Sequence, residues 1–190
     1  MAIPAGTNRK LCVWVWQIGG ANGFASCTYD GNAMTAVRLS WTQADGGELD
    51  FFEYDVPDTD SGTKTITATF IAAKTNRQLM WAFIENTKVA LHEAENGGVT
   101  GAFPTSGPSV TTLTNTTENA MLIHGSILDS GALTMGVGTG DVEERNAVVD
   151  GRQQHIVSEA VTSVASHATE SNWTGGSVKA GTSGAFYARV

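Results

Sequence analysis

Residues 8–37, NRKLCVWVWQIGGANGFASCTYDGNAMTAV, constrain the fold more than any other stretch of this chain. Residues 11–17 form an apolar run rich in Val and Trp, types that suit a pleated and largely buried surface. The Gly- and Asn-containing stretch 19–23 breaks it with residues that accept positive φ. Residues 24–29 then alternate, with Ala25, Cys27 and Tyr29 on one face and Phe24, Ser26 and Thr28 on the other. Asp30-Gly31 between two β-like runs is a strong hairpin signal. A third strand starts at Ala33, so the segment reads as strand, turn, strand, turn, strand.

The rest of the chain continues in this manner. In ELDFFEYD (48–55) the aromatic content is that of a strand, but adjacent Phe51 and Phe52 break the alternation. Either both faces are buried or the strand carries a bulge. KTITATFIA (64–72) has the clearest period of two, with Ile66, Ala68 and Phe70 inward and Thr65, Thr67 and Thr69 outward. QLMWAFIE (78–85) lacks polar alternation and reads as a central strand. Residues 93–108, rich in Gly and Pro, read as a long excursion. Strands follow at 109–113 and 119–128, and residues 142–149 read as a strand or a loop. Residues 153–168 read as two short strands, with a helix on Val157, Val161, Val164 and Ala168 as the alternative. AFYARV (185–190) closes the sheet.

Short strands at this spacing predict an all-β chain, a single-domain antiparallel β-sandwich of jelly-roll type over residues 8–190, preceded by an arm at residues 1–7. The phases of the strands predict a core of Val13, Val15, Cys27, Tyr29, Ile66, Phe70, Met80 and Phe83.

Composition agrees and narrows the function. Only 16% of the 190 residues are charged and 22 are Gly, which fits a β protein better than a helical one. The net charge of −8, with scattered basic residues, disfavours nucleic acid, because counterion release needs clustered Lys and Arg. No apolar run approaches a membrane span, and Met1-Ala2-Ile3-Pro4 lacks the basic start and apolar centre of a signal peptide. Synthesis in the cytoplasm is therefore expected, with Cys12 and Cys27 as reduced, buried thiols in neighbouring strands rather than a bridge.

Few residues suggest chemistry. His92, His124, His155 and His167 fall in no HxH or HExxH pattern, and isolated histidines are most often surface or hydrogen-bonded core groups. Ser126 and Ser158 lack the flanking glycines of a nucleophile elbow. Residues 136–141, GVGTGD, lack the Lys-Ser/Thr of a phosphate loop and read as a flexible turn. Asp55, Asp58 and Asp60 are spaced as calcium ligands but without a closing bidentate Glu. The pairs Glu143-Glu144 and Glu93-Glu95 read as solvated charges, and the sequons at Asn115 and Asn172 mean little without secretion. No catalysis, cofactor or metal is expected.

The tryptophans favour contact instead. Trp14 and Trp16 share a strand face with Cys12, opposite Leu11, Val13 and Val15, so this strand needs cover on both faces. Trp41 and Trp173 sit near turns, where their rings would stack on sugars or pack against a partner.

Taken together, Asn8-Arg9 before an apolar strand, the hairpin from Ser26 to Thr35, Val56-Pro57, and Ser61-Gly62-Thr63 before a Thr-rich strand resemble a β-sandwich module of bacteriophage virion proteins. The likeness covers roughly the first 85 residues, with AFYARV as a matching last strand. It implies a non-enzymatic capsid decoration (cement) protein, made in the host cytoplasm and carried on the virion surface. Its partner would be the major capsid protein lattice, and it would work as a homotrimer that covers the second face of the first strand. A carbohydrate-binding adsorption module of a tail or head fibre is the alternative, with Trp14, Trp16, Trp41 and Trp173 as candidate contacts.

Overall fold

A computed structural model describes residues 1–18, 24–42, 47–71, 75–87, 94–98, 102–103, 106–114, 118–129, 133–174 and 178–189. Among them there is no helix, and every named element is a strand, so the all-β expectation holds. The chain gathers into two compact units, Met1–Leu91 with Arg189–Val190, and His92–Ala188.

The first unit is a sandwich of a four-stranded and a three-stranded sheet. The larger sheet runs β4 (Thr35–Thr42), β5 (Gly47–Val56), β1 (Arg9–Ile18), β7 (Thr75–Ile84), and the smaller runs β3 (Asn32–Ala33), β2 (Phe24–Tyr29), β6 (Ile66–Phe70). Leu11, Val13 and Val15 of β1 and Phe52 of β5 face Cys27 and Tyr29 of β2 across an apolar core. Ile66, Ala68, Phe70, Leu79, Trp81 and Phe83 border that core. Of the expected core, Val13, Val15, Cys27, Tyr29 and Met80 are buried, and Ile66, Phe70 and Phe83 are half-buried at its rim. The period of two in β6 is as read, with Thr67 and Thr69 exposed.

The opening segment departs from consecutive hairpins. Its first strand pairs with β5 and β7, while β2 belongs to the opposite sheet. Cys12 and Cys27 therefore lie in different sheets, both buried and neither in a disulfide. Burial pushes the Cys27 thiol up to about 12, so it stays protonated. The Asp30-Gly31 turn does form: φ is 48° and 84°, and Tyr29 pairs with Asn32 across it. The strand after it divides at Met34, with β3 in one sheet and β4 in the other.

Adjacent Phe51 and Phe52 have a simple cause, because both faces of β5 are buried and its register with β1 is unbroken. Phe51 stacks on Trp14 with centroids 4.6 Å apart and rings 3° from parallel, while Phe52 enters the core. The expectation that 78–85 is central fails, since β7 ends its sheet. An unbroken apolar run reports cover on two faces, not pairing on two edges.

The second unit also holds two sheets. One runs β13 (Val142–Val149), β14 (Arg152–Val161), β11 (Ala120–Leu128), β16 (Val178–Ala188), β8 (Ala94–Gly98), with β9 (Ala102–Phe103) also on β16. The other runs β10 (Ser106–Thr114), β15 (Ser166–Thr174), β12 (Thr134–Val137). Residues 153–161 lie in β14 and 166–168 open β15, with a bend between them and no helix. The stretch 93–108 is no simple excursion. It supplies β8, β9 and the start of β10, because the edge of β16 offers main-chain groups that Gly-rich sequence can pair with.

A buried histidine and hydroxyl network as candidate functional site

The strands of the second unit bring together side chains that lie far apart in sequence. On β11 the register aligns Ala120, Leu122, His124, Ser126 and Leu128 along one face, opposite Val161, Glu159, Val157, His155 and Gln153 of β14. On β15 the alternation buries Thr169, Ser171 and Trp173. These faces meet between the sheets. Leu128 packs on Trp173 at one end, and Ala120, Leu122 and Val161 cluster among themselves. Between these apolar groups the contact is polar.

His124 Nε2 lies 2.7 Å from Ser126 Oγ, and its Nδ1 lies 3.2 Å from both the carbonyl oxygen and Oγ1 of Thr169. Ser126 Oγ is 3.2 Å from Ser171 Oγ, which is 2.8 Å from His155 Nδ1. His155 Nε2 reaches Glu143 Oε2 at 3.0 Å. Asn146 Nδ2 donates to the same carboxylate oxygen at 3.1 Å, and Gln153 donates to Asn146.

Glu143 and Asn146 are three residues apart, so a regular strand would place them on opposite faces. The register between β13 and β14 shifts between Glu143 and Arg145, and this bulge lets both lie on the face of His155. The hairpin that sets the register is a second Asp-Gly turn, Asp150-Gly151, with φ of 48° and 75°. His124, Ser126, His155 and Ser171 are all fully buried. Burial lowers His124 to about 3, against the pull of its bond to Thr169, and the nearby His155 lowers it further. Burial also lowers His155, opposed by the Glu143 carboxylate. Both rings are neutral at pH 7.

Glu143, His155 and Ser171 have the composition of a hydrolase triad. In this conformation Ser171 has no exposed surface, and its hydroxyl is also held by Ser126. A substrate carbonyl would have to lie about 3 Å from that oxygen. The arrangement joins two sheets through hydrogen bonds, each worth a net 0.5–1.5 kcal/mol or so when made and costing about 1–3 kcal/mol when its partner is lost.

Sequence reasoning named His124, His155, Ser126 and Glu143 without joining them, and missed Thr169 and Ser171. One signal was available: the inward phase of HATESNW ends on Trp173, which carries Thr169 and Ser171 with it.

The tryptophan contacts fare differently from a surface reading. Trp14 and Trp16 have no exposure, and Trp173 is 2% exposed. The side chain of Trp41, in β4, lies outside the described residues, as do His92 and Glu93. Glu143 and Glu144 point apart, Glu144 accepting from Ser158 at 2.6 Å. The GVGTGD stretch ends β12 and turns at Gly140, with φ of 94°, directly into β13.

The carboxylates of 55–60 are engaged one by one: Asp55 by Lys10 at 2.9 Å, Asp58 by the Asn8 amide at 2.9 Å, and Asp60 by the Tyr29 hydroxyl at 2.9 Å. Among the described residues no three His, Cys, Asp or Glu side chains gather as a metal site requires.

The same corner of the first unit collects the motif residues. Arg9, almost wholly buried, donates through Nη1 to the carbonyl of Pro4 and through Nη2 to those of Pro57 at 2.6 Å and Asp60 at 3.2 Å. Asn8, at φ 47°, accepts from Thr87 through its carbonyl. The N-terminal arm docks here too, with Ile3 N–H bonded to the Gly62 carbonyl at 3.0 Å. A groove of about 450 Å³ runs beside Arg9, Pro57 and Asp58.

No family, curated protein or solved structure matches this chain.

Proposed function

We propose that this chain is a non-catalytic virion component of the capsid-decoration kind, which binds the outer lattice of a phage shell and reinforces it. The observation that carries the reading is the Arg9 corner. Asn8-Arg9, Val56-Pro57 and Ser61-Gly62-Thr63 are separate in sequence, yet Arg9 bonds to Pro57 and Asp60, and Gly62 holds the arm. Motifs that meet in one joint behave as a single structural signature, which supports the resemblance they carry. A protein that binds only the assembled lattice stabilises it by mass action.

From the sequence alone, the second face of β1 is expected to draw in further copies, as a trimer, but Cys12, Trp14 and Trp16 are fully buried within one chain. One copy needs no partner on that account, and contact with the capsid lattice becomes the proposed association. Sugar stacking likewise loses Trp14, Trp16 and Trp173 as accessible platforms. The test is heating of phage heads assembled without this protein. They are expected to assemble, to rupture at a lower temperature, and to recover when it is added back. Heads indifferent to its addition, or specific glycan binding abolished by Trp41→Ala, would overturn the reading.

A further inference from the structure

The hydrogen bonds of the buried network have a direction. Glu143, as a carboxylate, can only accept, so His155 Nε2 carries a hydrogen and, in the neutral ring, Nδ1 does not. Ser171 then donates to Nδ1, Ser126 donates to Ser171, and Ser126 accepts from His124 Nε2–H. His124 Nδ1 is left bare and accepts from the Thr169 hydroxyl. In the neutral state the bonds between the histidines thus run one way, from His124 to His155.

We propose that this chain is a two-state relay: one added proton, whose charge comes to rest on His155, reverses every bond between the two histidines and leaves the ring hydrogen of His124 on Nδ1 instead of Nε2. The protons hop in file: Ser171 gives its proton to His155 Nδ1, Ser126 gives its own to Ser171, and His124 Nε2 gives its own to Ser126. His155 then donates to Ser171, Ser171 to Ser126 and Ser126 to His124 Nε2. The added proton is taken up on His124 Nδ1, where the Thr169 carbonyl stands 3.2 Å away. One proton enters and none leaves, since each serine keeps one hydrogen and His124 stays neutral. The two Thr169 oxygens make both states complete, the hydroxyl serving one tautomer and the carbonyl the other.

A second proton has no such solution. With both rings charged, His124 and His155 each donate inward to the serine pair. One of the two hydroxyl hydrogens then has no acceptor among the side chains of the relay, and the two charges repel in a buried site. The network tolerates one proton and is broken by two.

The order of uptake follows from the surroundings. Titratable and charged groups on the facing surfaces are Glu143 of β13, His155 and Glu159 of β14, His124 of β11 and His167 of β15, which lies 3.2 Å from Glu159. The strands β10 and β12 contain no titratable residue. Tyr187 of β16 occupies a far-face register position, as do Arg145 and Arg152. Glu143 is the carboxylate in contact with the relay and, of the two rings, it bonds to His155, so His155 charges first. The lowering of His124 to about 3 agrees with this order.

Nitrogen NMR of the isotope-labelled full chain, titrated downward from about pH 8, reads both rings. At neutral pH His124 should show a protonated Nε2 and a bare Nδ1. As His155 becomes an imidazolium, the two ring-nitrogen shifts of His124 should exchange at the same midpoint, with His124 still neutral. A His124 tautomer that never changes, or one already on Nδ1 at neutral pH, overturns the relay. Unfolding before His155 charges also overturns it, so the wild-type titration decides without any variant. In Ser126→Ala the link is cut: His155 should still titrate and the exchange at His124 should vanish. An exchange that persists in that variant sinks the proposal.

Discussion

The two units of this chain solve one problem in opposite ways. Each must hold a smaller sheet against a larger one. The first does so with apolar side chains from Leu11 to Phe52 on one side and Cys27 and Tyr29 on the other. The second places two histidines and three hydroxyls midway between its sheets, beside the apolar groups of Ala120, Leu122 and Val161 and of Leu128 and Trp173. Apolar burial is non-directional and tolerates small shifts, whereas a hydrogen-bonded chain demands one register. The first joint therefore offers no histidine for protons to charge, and the second offers two.

The largest expected effect lies in the apolar joint. Phe52 is 3% exposed, and Phe52→Ala should cost about 3–5 kcal/mol in urea unfolding, the range for a buried aromatic ring truncated to Ala. The corresponding truncation in the polar joint, Ser126→Ala, removes one oxygen and should cost about 1–3 kcal/mol, because His124 and Ser171 lose a partner. A Phe52→Ala loss below that of Ser126→Ala would break the contrast between the joints.

Acid should separate the units next. Both buried histidines have lowered pKa values, so below about pH 6.5 the unfolded chain binds protons that the folded one does not. Stability from the neutral rings is complete above that pH and is lost as the pH falls toward about 3, the value for His124. The slope approaches 1.4 kcal/mol per pH unit for each ring that stays neutral in the fold. Hydrogen exchange followed between about pH 7 and pH 4 should show β15 amides losing protection before those of β1. His124→Gln should flatten the difference. Equal loss in both units would mean that carboxylates elsewhere dominate, and the histidines would cease to mark the second unit as acid-sensitive.

The contrast also explains what the sequence could reveal. Alternation such as Ile66, Ala68 and Phe70 reports a face directly, and Asp30-Gly31 reports a turn, so the first unit's strands and phases were legible. Which strands pair was not: β1 and β2 read as a hairpin because the pattern says nothing about which sheet a strand joins. The second unit was less legible because its inward faces carry Ser, Thr and His. A period of two in polarity vanishes when both phases are polar, as in HATESN, and the phase of Trp173 alone marks Ser171 as an inner residue. The Glu143 bulge was invisible for the same reason, since it adds a residue without changing composition.

The smallest effect should be the same in both units. Gly31 and Gly151 follow Asp30 and Asp150 at φ of 84° and 75°, each closing a two-residue hairpin turn. A Cβ added at either glycine would meet nothing within 4 Å, so no packing change confuses the comparison. What remains is the cost of placing an L side chain in the left-handed region, about 1–2 kcal/mol. Gly31→Ala and Gly151→Ala are thus expected to lower stability by about 1 kcal/mol each, and Asn at either site should recover part of the loss, because Asn tolerates that region. Local turn chemistry is then common to the two units, and the difference between them resides in what lies between the sheets. Chemical denaturation of the two variants, with hydrogen exchange to locate the loss, would measure this. A Gly151→Ala cost well above that of Gly31→Ala would place part of the second unit's specificity in its turn, since Asp150-Gly151 sets the register that carries Glu143 and Asn146 to His155.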